Sequence, residues 1–236
     1  MLLMSACKSD QTKTVEDDYE GLVATRASQR IDIDGLVDDA WANAVWHPID
    51  QVWLGEGLLP QDFSGQYKIK YDKNYLYILA SITDDRLFDQ HKDGLHKYWD
   101  DDCLEIFIDE DRSKGNHQYN HNAFAYHVGL DRKVVDIGTD STYRYYNDHV
   151  KTARKSAGMR HIWEVAVKIY DDQYVDEGEN LPVNLEVGKK MGFAIAYCDN
   201  DGSAEREHFI GSVAIDGQDK NRGWIDAGVF EELRLK

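Results

Sequence analysis

The feature that most constrains the fold is a series of short segments rich in β-branched and aromatic residues, separated by stretches rich in Gly, Asp and Asn. This pattern predicts strands, over residues 67–71, 75–82, 103–109, 124–130, 133–137, 162–169, 191–198 and 207–214. Only residues 38–44, around Trp41, have the pattern of a helical turn. Many short strands without alternating helices favour an all-β fold, a β-sandwich of two antiparallel sheets, over a βαβ sheet.

The pattern of strands and turns also divides the chain into regions. Residues 8–29 are polar and lack a sustained period, so we predict a flexible tether there. Residues 30–236 contain neither a second linker nor an internal repeat, and this length can bury a core of its own. Residues 72–74 (Asp-Lys-Asn) separate two strand segments and predict a tight hairpin. The sequence therefore predicts one folded domain over 30–236.

The charge of the chain excludes some partners. With 27 basic and 44 acidic residues the formal net charge is −17. Nucleic acids and anionic lipid surfaces both require clustered Lys and Arg, so we expect neither as a direct partner. No apolar run reaches the roughly 20 residues that span a bilayer. The acidic surface suits metal cations or neutral partners, or it simply keeps the protein in solution.

The three cysteines differ in context. Cys7 follows Ser5 and Ala6 directly before a polar run, which resembles the lipobox of bacterial lipoproteins, where the Cys is acylated. Residues 1–7 are then the remnant of a lipoprotein signal, and the domain is lipid-anchored in the bacterial cell envelope, touching the membrane only through Cys7. Cys103 and Cys198 lie in apolar, strand-like segments, where a disulfide and two buried free thiols are both possible.

Two acidic segments suggest chemistry. The aspartates at 100–102 with Glu105 could supply the two carboxyls of a glycosidase, although adjacent aspartates in an acidic chain meet that requirement only by accident. Asp109, Asp111 and Ser113 precede Gly115 at the alternate spacing of oxygen ligands in Ca²⁺ loops. No Glu stands at position 12 of this loop, so it is not a complete EF-hand. We therefore interpret it as a candidate Ca²⁺ site or a plain polar turn.

The tryptophans fall into two groups. Trp41 and Trp163 lie in apolar contexts typical of a core. Trp99 and Trp224 are instead set among Asp, Lys, Asn and Arg, in segments expected to be loops or strand ends. An exposed ring beside polar groups matches a sugar, which presents an apolar C–H face and a polar rim.

Three segments carry a resemblance to a known family. They are 33–41 (IDGLVDDAW), 71–77 (YDKNYLY) and 99–109 (WDDDCLEIFID), and the closing 221–224 (NRGW) with Phe230 fits as well. Together they resemble carbohydrate-binding module family 9 (CBM9) over about residues 30–236. The resemblance implies a CBM9/DOMON-like β-sandwich, structural Ca²⁺, and a slot where two tryptophans clamp a sugar, often at a reducing end. By position the clamp is Trp99 and Trp224.

The resemblance also implies the polar contacts of the site. Glu105 and Asn221 match the family's polar sugar contacts, and His127 stands where the family commonly has Arg. We therefore predict a non-catalytic domain that binds a mono- or oligosaccharide or a polysaccharide end. Two alternatives remain open: a b-type haem domain with Met159 or Met191 and a histidine as axial ligands, and a glycan-cleaving enzyme.

Overall fold

A computed structural model describes residues 19–236, in which short strands make up almost all regular structure. The strands are β1 (Leu22–Arg26), β2 (His47–Ile49), β3 (Gln51–Leu54), β4 (Phe63–Tyr71), β5 (Leu76–Asp84), β6 (Cys103–Asp109), β7 (Phe124–Gly129), β8 (Val134–Ile137), β9 (Tyr143–Tyr145), β10 (Val150–Ala157), β11 (Arg160–Val167), β12 (Lys190–Asp199), β13 (His208–Gly211) and β14 (Glu231–Leu235). Two 3-10 helices cover Asp39–Trp41 and Ala227–Val229. In this part of the chain no helix is long and apolar enough to cross a membrane.

The strands form a sandwich of two sheets, as predicted. The front sheet contains β14, β12, β6, β7, β8 and β9 in spatial order, and β13 pairs with both β12 and β3. The back sheet contains β10, β11, β5 and β4, with β2 beside β4. Every pair within these sheets is antiparallel, whereas β1 runs parallel to both β14 and β4 and joins the two sheets.

The C-terminal part of the predicted tether therefore belongs to the folded domain. Prediction of a tether over 8–29 is wrong for Leu22–Arg26, which form β1. Leu22 and Ala24 are buried in the core because alternate residues of a strand point to the same face. A five-residue strand of mixed polarity, next to polar sequence, has too weak a pattern to be separated from a linker.

The core lies between the sheets and is built from the alternate residues of each strand. Buried side chains that face it include Ile69, Ile78, Ile106, Tyr126, Trp163, Phe193 and Leu233. The predicted hairpin between β4 and β5 is confirmed: Asp72 Oδ1 accepts hydrogen bonds from the backbone N–H groups of Asn74 and Tyr75, at 2.7 and 2.9 Å. These contacts fix the register of the central strands of the back sheet.

Part of the outer face of the back sheet is covered by the N-terminal segment. The predicted helical turn is the 3-10 helix Asp39–Trp41, and Asp38 caps it by accepting from the backbone N–H of Ala40 at 2.8 Å. Trp41 is fully buried against Leu79 and neighbouring residues, as predicted, and its Nε1 donates to Glu164 at 2.9 Å. This cover ends beyond Trp46, and Ser64 and Gln66 of β4 are exposed on that face.

The outer face of the front sheet is covered differently. Leu104, Ile106 and Ile108 of β6 point into the core, so Glu105 and Phe107 point outward. Phe107 lies under a second apolar cluster, whereas Glu105 lies where loops leave a hollow above the sheet.

Candidate functional site

The five residues predicted to contact sugar line one pocket of about 330 Å³ on the outer face of the front sheet. They are Trp99, Glu105, His127, Asn221 and Trp224, from four separate parts of the chain. The pocket also contains Tyr98, Ala125, Asp136, Ile137, Tyr143 and Arg206. A concave site that combines aromatic side chains with a few polar groups is typical of small-molecule binding.

The polar centre of the pocket is an ion-pair cluster around Glu105. Glu105 on β6 and His127 on β7 are directly opposite in register. His127 Nε2 lies 2.7 Å from Glu105 Oε1, and His127 Nδ1 lies 3.1 Å from the carbonyl oxygen of Ala125. An Arg206 amino group donates to the same carboxylate oxygen at 3.2 Å. Because all three side chains are buried, this charged cluster is held in place before any ligand arrives.

The charge of Glu105 is stabilised by its two partners. Burial alone would raise its pKa, but His127 and Arg206 outweigh burial and lower the pKa below the usual value. Arg206 also donates to Asn221 Oδ1 at 3.0 Å, so the guanidinium orients a second predicted contact residue. The cluster therefore presents a carboxylate acceptor, an imidazole, a guanidinium donor and an amide to one small volume, which suits the hydroxyl groups of a sugar.

The two buried cysteines lie behind this cluster. Cys103 and Cys198 are directly opposite on β6 and β12, and both are free thiols. Cys198 Sγ is 3.0 Å from both Glu105 Oε1 and an Arg206 nitrogen. Of the two possibilities that the sequence leaves open, the structure has the free thiols.

Trp99 belongs to an aromatic group on one side of the pocket. Tyr98 is buried edge-on against His127, with ring centroids 4.6 Å apart. Tyr98 contacts the rings of Trp99 and Tyr143 at 5.1 and 5.3 Å, and Trp99 lies 5.8 Å from Tyr143. Trp99 remains partly accessible, and its neighbours restrict the orientation of its ring.

Trp224 is carried by a loop that is tied down beneath it. The His117 ring contacts the carbonyl oxygen of Gly223 through Nε2 at 2.8 Å, and the His117 backbone N–H donates to Ile225. A Cβ atom on Gly223 would lie only 3.3 Å from the Phe107 ring, so glycine allows this loop to approach the sheet. Trp224 itself keeps 38% of its surface exposed and is therefore free to cover a ligand.

Several pocket residues were not identified from the sequence. Arg206 stands in the charged run Glu205–Glu207, which is typical of a surface loop, yet its side chain is only 9% exposed. Tyr143 comes from the short edge strand β9, whose polar sequence is a weak strand signal. Asp136 is buried, and burial raises its pKa to about 6. These residues reach the pocket through contacts between parts of the chain that are far apart in sequence, so their local sequence does not identify them.

Of the residues considered for a glycosidase or a haem site, Glu105 lines the pocket, whereas the aspartates at 101 and 102 and the two methionines do not. Asp101 and Asp102 accept hydrogen bonds from the backbone of residues 88–91, and neither lines the pocket. Met191 is buried in the core and Met159 lies in the exposed turn between β10 and β11, so neither reaches the pocket as a haem ligand.

A cluster of carboxylates that the sequence analysis missed lies at one end of the sandwich. Asp84 ends β5, Asp199 ends β12 and Asp102 precedes β6, and their oxygen atoms lie within 4.8 Å of one another. Burial and the nearby charge of Asp84 raise the pKa of Asp102 to about 9, and burial raises that of Asp199 to about 7. Three buried carboxylates so close together are the oxygen-rich environment that a hard cation requires. Aspartates at strand ends were the available sequence signal.

The predicted Ca²⁺ loop follows β6. Asp109 Oδ2 accepts from the backbone N–H of Lys114 at 2.7 Å, while Asp109 Oδ1 is buried without a hydrogen-bond partner among the described residues. Asp111 Oδ1 accepts from the Ser113 N–H at 2.8 Å, and Ser113 Oγ donates to Asn122 at 3.1 Å. The unpaired oxygen of Asp109 beside Asp111 fits a cation, whereas Ser113 is engaged in the turn.

The sequence of this chain is similar to those of known proteins. Residues 33–236 match the model of the family described as "Carbohydrate family 9 binding domain-like". Endo-1,4-beta-xylanase A of Thermotoga maritima is 31% identical over 216 residues, 91% of this chain and 18% of the xylanase. Endo-1,4-beta-xylanase A of Thermoanaerobacterium saccharolyticum is 28% identical over 210 residues, 86% and 17% respectively. The chain therefore spans less than a fifth of the length of these curated relatives.

Solved structures have the same fold. A carbohydrate-binding module family 9 from Caldicellulosiruptor kristjanssonii in complex with cellotriose matches with a TM-score of 0.66 at 20% identity, over 91% of this chain and 93% of that one. The same module in complex with glucose matches with a TM-score of 0.66 at 20% identity, over 91% and 95%.

Proposed function

This chain belongs to the carbohydrate family 9 binding domains, and from that premise we propose that it binds carbohydrate without cleaving it, in the pocket that contains Trp99 and Trp224. One observation carries this proposal: the five predicted contact residues, from four separate parts of the chain, line a single pocket around the buried cluster of Glu105, His127 and Arg206. The related module in complex with cellotriose and with glucose supports a glucan as the first ligand to test.

We propose that Trp99 and Trp224 cover the apolar faces of a sugar ring while the charged cluster binds its hydroxyl groups. A pocket of about 330 Å³ is at the small end of ligand sites and suits roughly one or two sugar rings. This size supports binding of a terminal unit rather than an internal stretch of a long chain.

The affinity follows from the buried area. Each ring that covers a sugar face buries roughly 100 Å² of apolar surface, which at about 25 cal/mol/Å² contributes about 2.5 kcal/mol. The entropy of association opposes this gain, so we expect micromolar to millimolar affinity. Replacing either Trp99 or Trp224 with Ala should weaken the binding of glucose or cellotriose at least about tenfold, which corresponds to about 1.4 kcal/mol.

Titration calorimetry tests the clamp. Trp163→Phe is the matched control because Trp163 is fully buried in the core; it should lower the melting temperature and leave the affinity of the folded protein unchanged. Cellotriose reduced to its alditol distinguishes the chain ends, since a pocket for the reducing end should lose most of its affinity for it. Wild-type affinity in the folded double variant Trp99→Ala/Trp224→Ala would refute the clamp.

We propose Ca²⁺ as a structural ion, with two possible positions. Asp84, Asp102 and Asp199 would supply three carboxylates at the end of the sandwich, and Asp109 with Asp111 would supply two in the loop after β6. When bound, the ion would hold these carboxyls in their ionised form, although burial raises the pKa of Asp102 and of Asp199. The fold brings these carboxyl oxygens together at the ends of strands.

We also propose that the domain is anchored in the bacterial cell envelope through lipid on Cys7. Support comes from the sequence Ser5-Ala6-Cys7 ahead of a polar segment. Cys7 lies outside the described residues 19–236. Mass spectrometry of the membrane fraction should detect acylated Cys7, and a fully soluble native protein with unmodified Cys7 would refute the anchor.

A further inference from the structure

A second groove lies on the outer face of the back sheet. The clamp pocket lies on the front sheet, so the two sites belong to different sheets. The second groove has a volume of about 600 Å³. Its floor is a grid of hydrogen-bonding side chains in register: Ser64 is opposite Thr83, and Gln66 is opposite Ser81. Arg160 of β11 is opposite Thr83 and closes the floor on its other side. Three adjacent strands give a floor about 10 Å wide, at about 4.8 Å per strand.

The side chains of this floor retain hydrogen-bonding capacity. Arg160 is exposed, and its Nε donates to Ser81 Oγ at 3.1 Å, which places the guanidinium beside the floor of the groove. The two terminal amino groups of Arg160 have no protein partner in the described part of the chain, nor do the side chains of Gln66 and Ser64. A ligand with several acceptors and hydroxyl groups could therefore bind here without displacing any internal contact.

One wall of the groove is aromatic. Trp46 is half-buried at the edge of the N-terminal cover, where it packs against the cluster around Trp41. Lys68 Nζ lies 4.9 Å from the centroid of the Trp46 ring and donates to the carbonyl oxygen of Trp41 at 2.8 Å. An oriented indole beside a polar floor is the combination that a sugar ring requires, while Lys68 adds positive charge behind the ring.

Charge distinguishes this groove from the clamp. None of the nine residues that line it is acidic, although the chain has 44 acidic residues and a net charge of −17. Its charged member is the guanidinium of Arg160, with two free donors in the geometry that binds a carboxylate bidentately. The clamp pocket, in contrast, contains Glu105 and Asp136. The two sites are therefore complementary to different sugars.

We infer that this groove is a second carbohydrate site, specific for a sugar that carries a carboxylate, with Arg160 binding the carboxylate and Trp46 packing on the ring. The inference goes beyond the clamp and does not depend on it, because no residue lines both pockets.

The test separates the two sites by mutation. In the folded Trp99→Ala/Trp224→Ala variant, tri-galacturonate should still bind in calorimetric titrations at low salt, and binding should weaken with added salt. Adding Arg160→Gln should weaken the binding of tri-galacturonate at least about tenfold. Lys155→Gln is the matched control, because Lys155 is an exposed cation on β10 of the same sheet and is not part of the groove; it should leave binding unchanged.

Three ligands and the melting temperatures complete the design. Each variant is first checked for an unchanged melt, and cellotriose and acetate serve as the neutral sugar and the carboxylate without a sugar. Acetate that binds as tightly as tri-galacturonate, or cellotriose that binds the clamp variant equally well, would overturn the assignment to an acidic sugar. No binding of tri-galacturonate, or equal effects of Arg160→Gln and Lys155→Gln, would overturn the site. If the proposed clamp were wrong, this would be seen separately, because the wild-type protein would not bind cellotriose.

Discussion

Glu105 carries its charge in a position where an unpaired carboxylate would be strongly unfavourable. Its side chain is only 3% exposed, and His127 and Arg206 together compensate the charge. Arg206 has further partners in Cys198 and Asn221, and its guanidinium lies 4.1 Å from the Phe209 ring centroid. One arginine therefore links the charge balance, the orientation of a contact residue and the packing of the pocket.

Arg206→Gln should be costly for this reason. Removing one partner from a buried ion pair leaves an uncompensated charge, and typical losses are about 3–5 kcal/mol. We expect a loss of this size in the free energy of unfolding, measured by urea denaturation, together with weaker sugar binding. Arg30→Gln is the control, because Arg30 pairs with Asp32 at the surface and such pairs contribute about 0–1 kcal/mol. Equal effects of the two substitutions would contradict the role of Arg206.

Most of the candidate contact residues were predictable from the sequence, but Arg206 was not. Trp99, Trp224, Glu105, His127 and Asn221 could be named from the family resemblance, and they do share a pocket. Arg206 could not, because it reaches Glu105 across 101 residues of sequence. Its local context in a charged run carries no signal of burial, so only the folded chain reveals it.

Strands with an apolar alternation were predictable from the sequence, and polar strands were not. The core strands β4 to β8 and β11 to β13 match predicted segments. β10, with the sequence VKTARKSA, is an edge strand that faces solvent along much of its length, so no apolar face marks it. β9 is a three-residue edge strand, β14 has the largely polar sequence EELRL although it lies between β1 and β12, and β1 lies within the predicted tether. Pairing with a neighbour, rather than local preference, makes these segments strands.

β1 should contribute strongly to the stability of the domain. It is the element that joins the two sheets, and Leu22 is 3% exposed in the core between them. Leu22→Ala should lower the free energy of unfolding by about 2–5 kcal/mol, as expected for a buried leucine. Val23→Ala, on the opposite and half-buried side of β1, should cost much less. A negligible effect of Leu22→Ala in denaturant titrations would mean that β1 is a tether after all.

For the whole molecule, the net charge of −17 has consequences inside the fold as well as on its surface. Several carboxyls are buried and hold their protons more tightly when the chain is folded. Glu231 at the start of β14 is the simplest case, because burial raises its pKa to about 7. Below pH 4.5 both folded and unfolded states are protonated there, whereas between pH 4.5 and 7 only the folded state keeps the proton.

The stability that Glu231 contributes should therefore fall as pH rises through this window. Glu231→Gln removes the titrating group, so the variant should lose less of its melting temperature than wild type between pH 5 and pH 8. Glu179→Gln, at an exposed loop position, should behave like wild type. Identical pH profiles for wild type and Glu231→Gln would show that Glu231 does not contribute.

Bound calcium should also affect the stability of the whole domain. A ligand that binds only the folded state stabilises it by about 2.7 kcal/mol at 100 times its Kd, so EGTA should lower the melting temperature. We expect Asp102→Asn to remove most of the response to EGTA, because three buried carboxylates converge at the strand ends. Asp109→Asn with Asp111→Asn should remove a smaller part, because the loop offers only two. An unchanged melt in EGTA, with no metal found by elemental analysis, would rule out both positions. A response confined to the loop variant would instead assign the ion to Asp109 and Asp111.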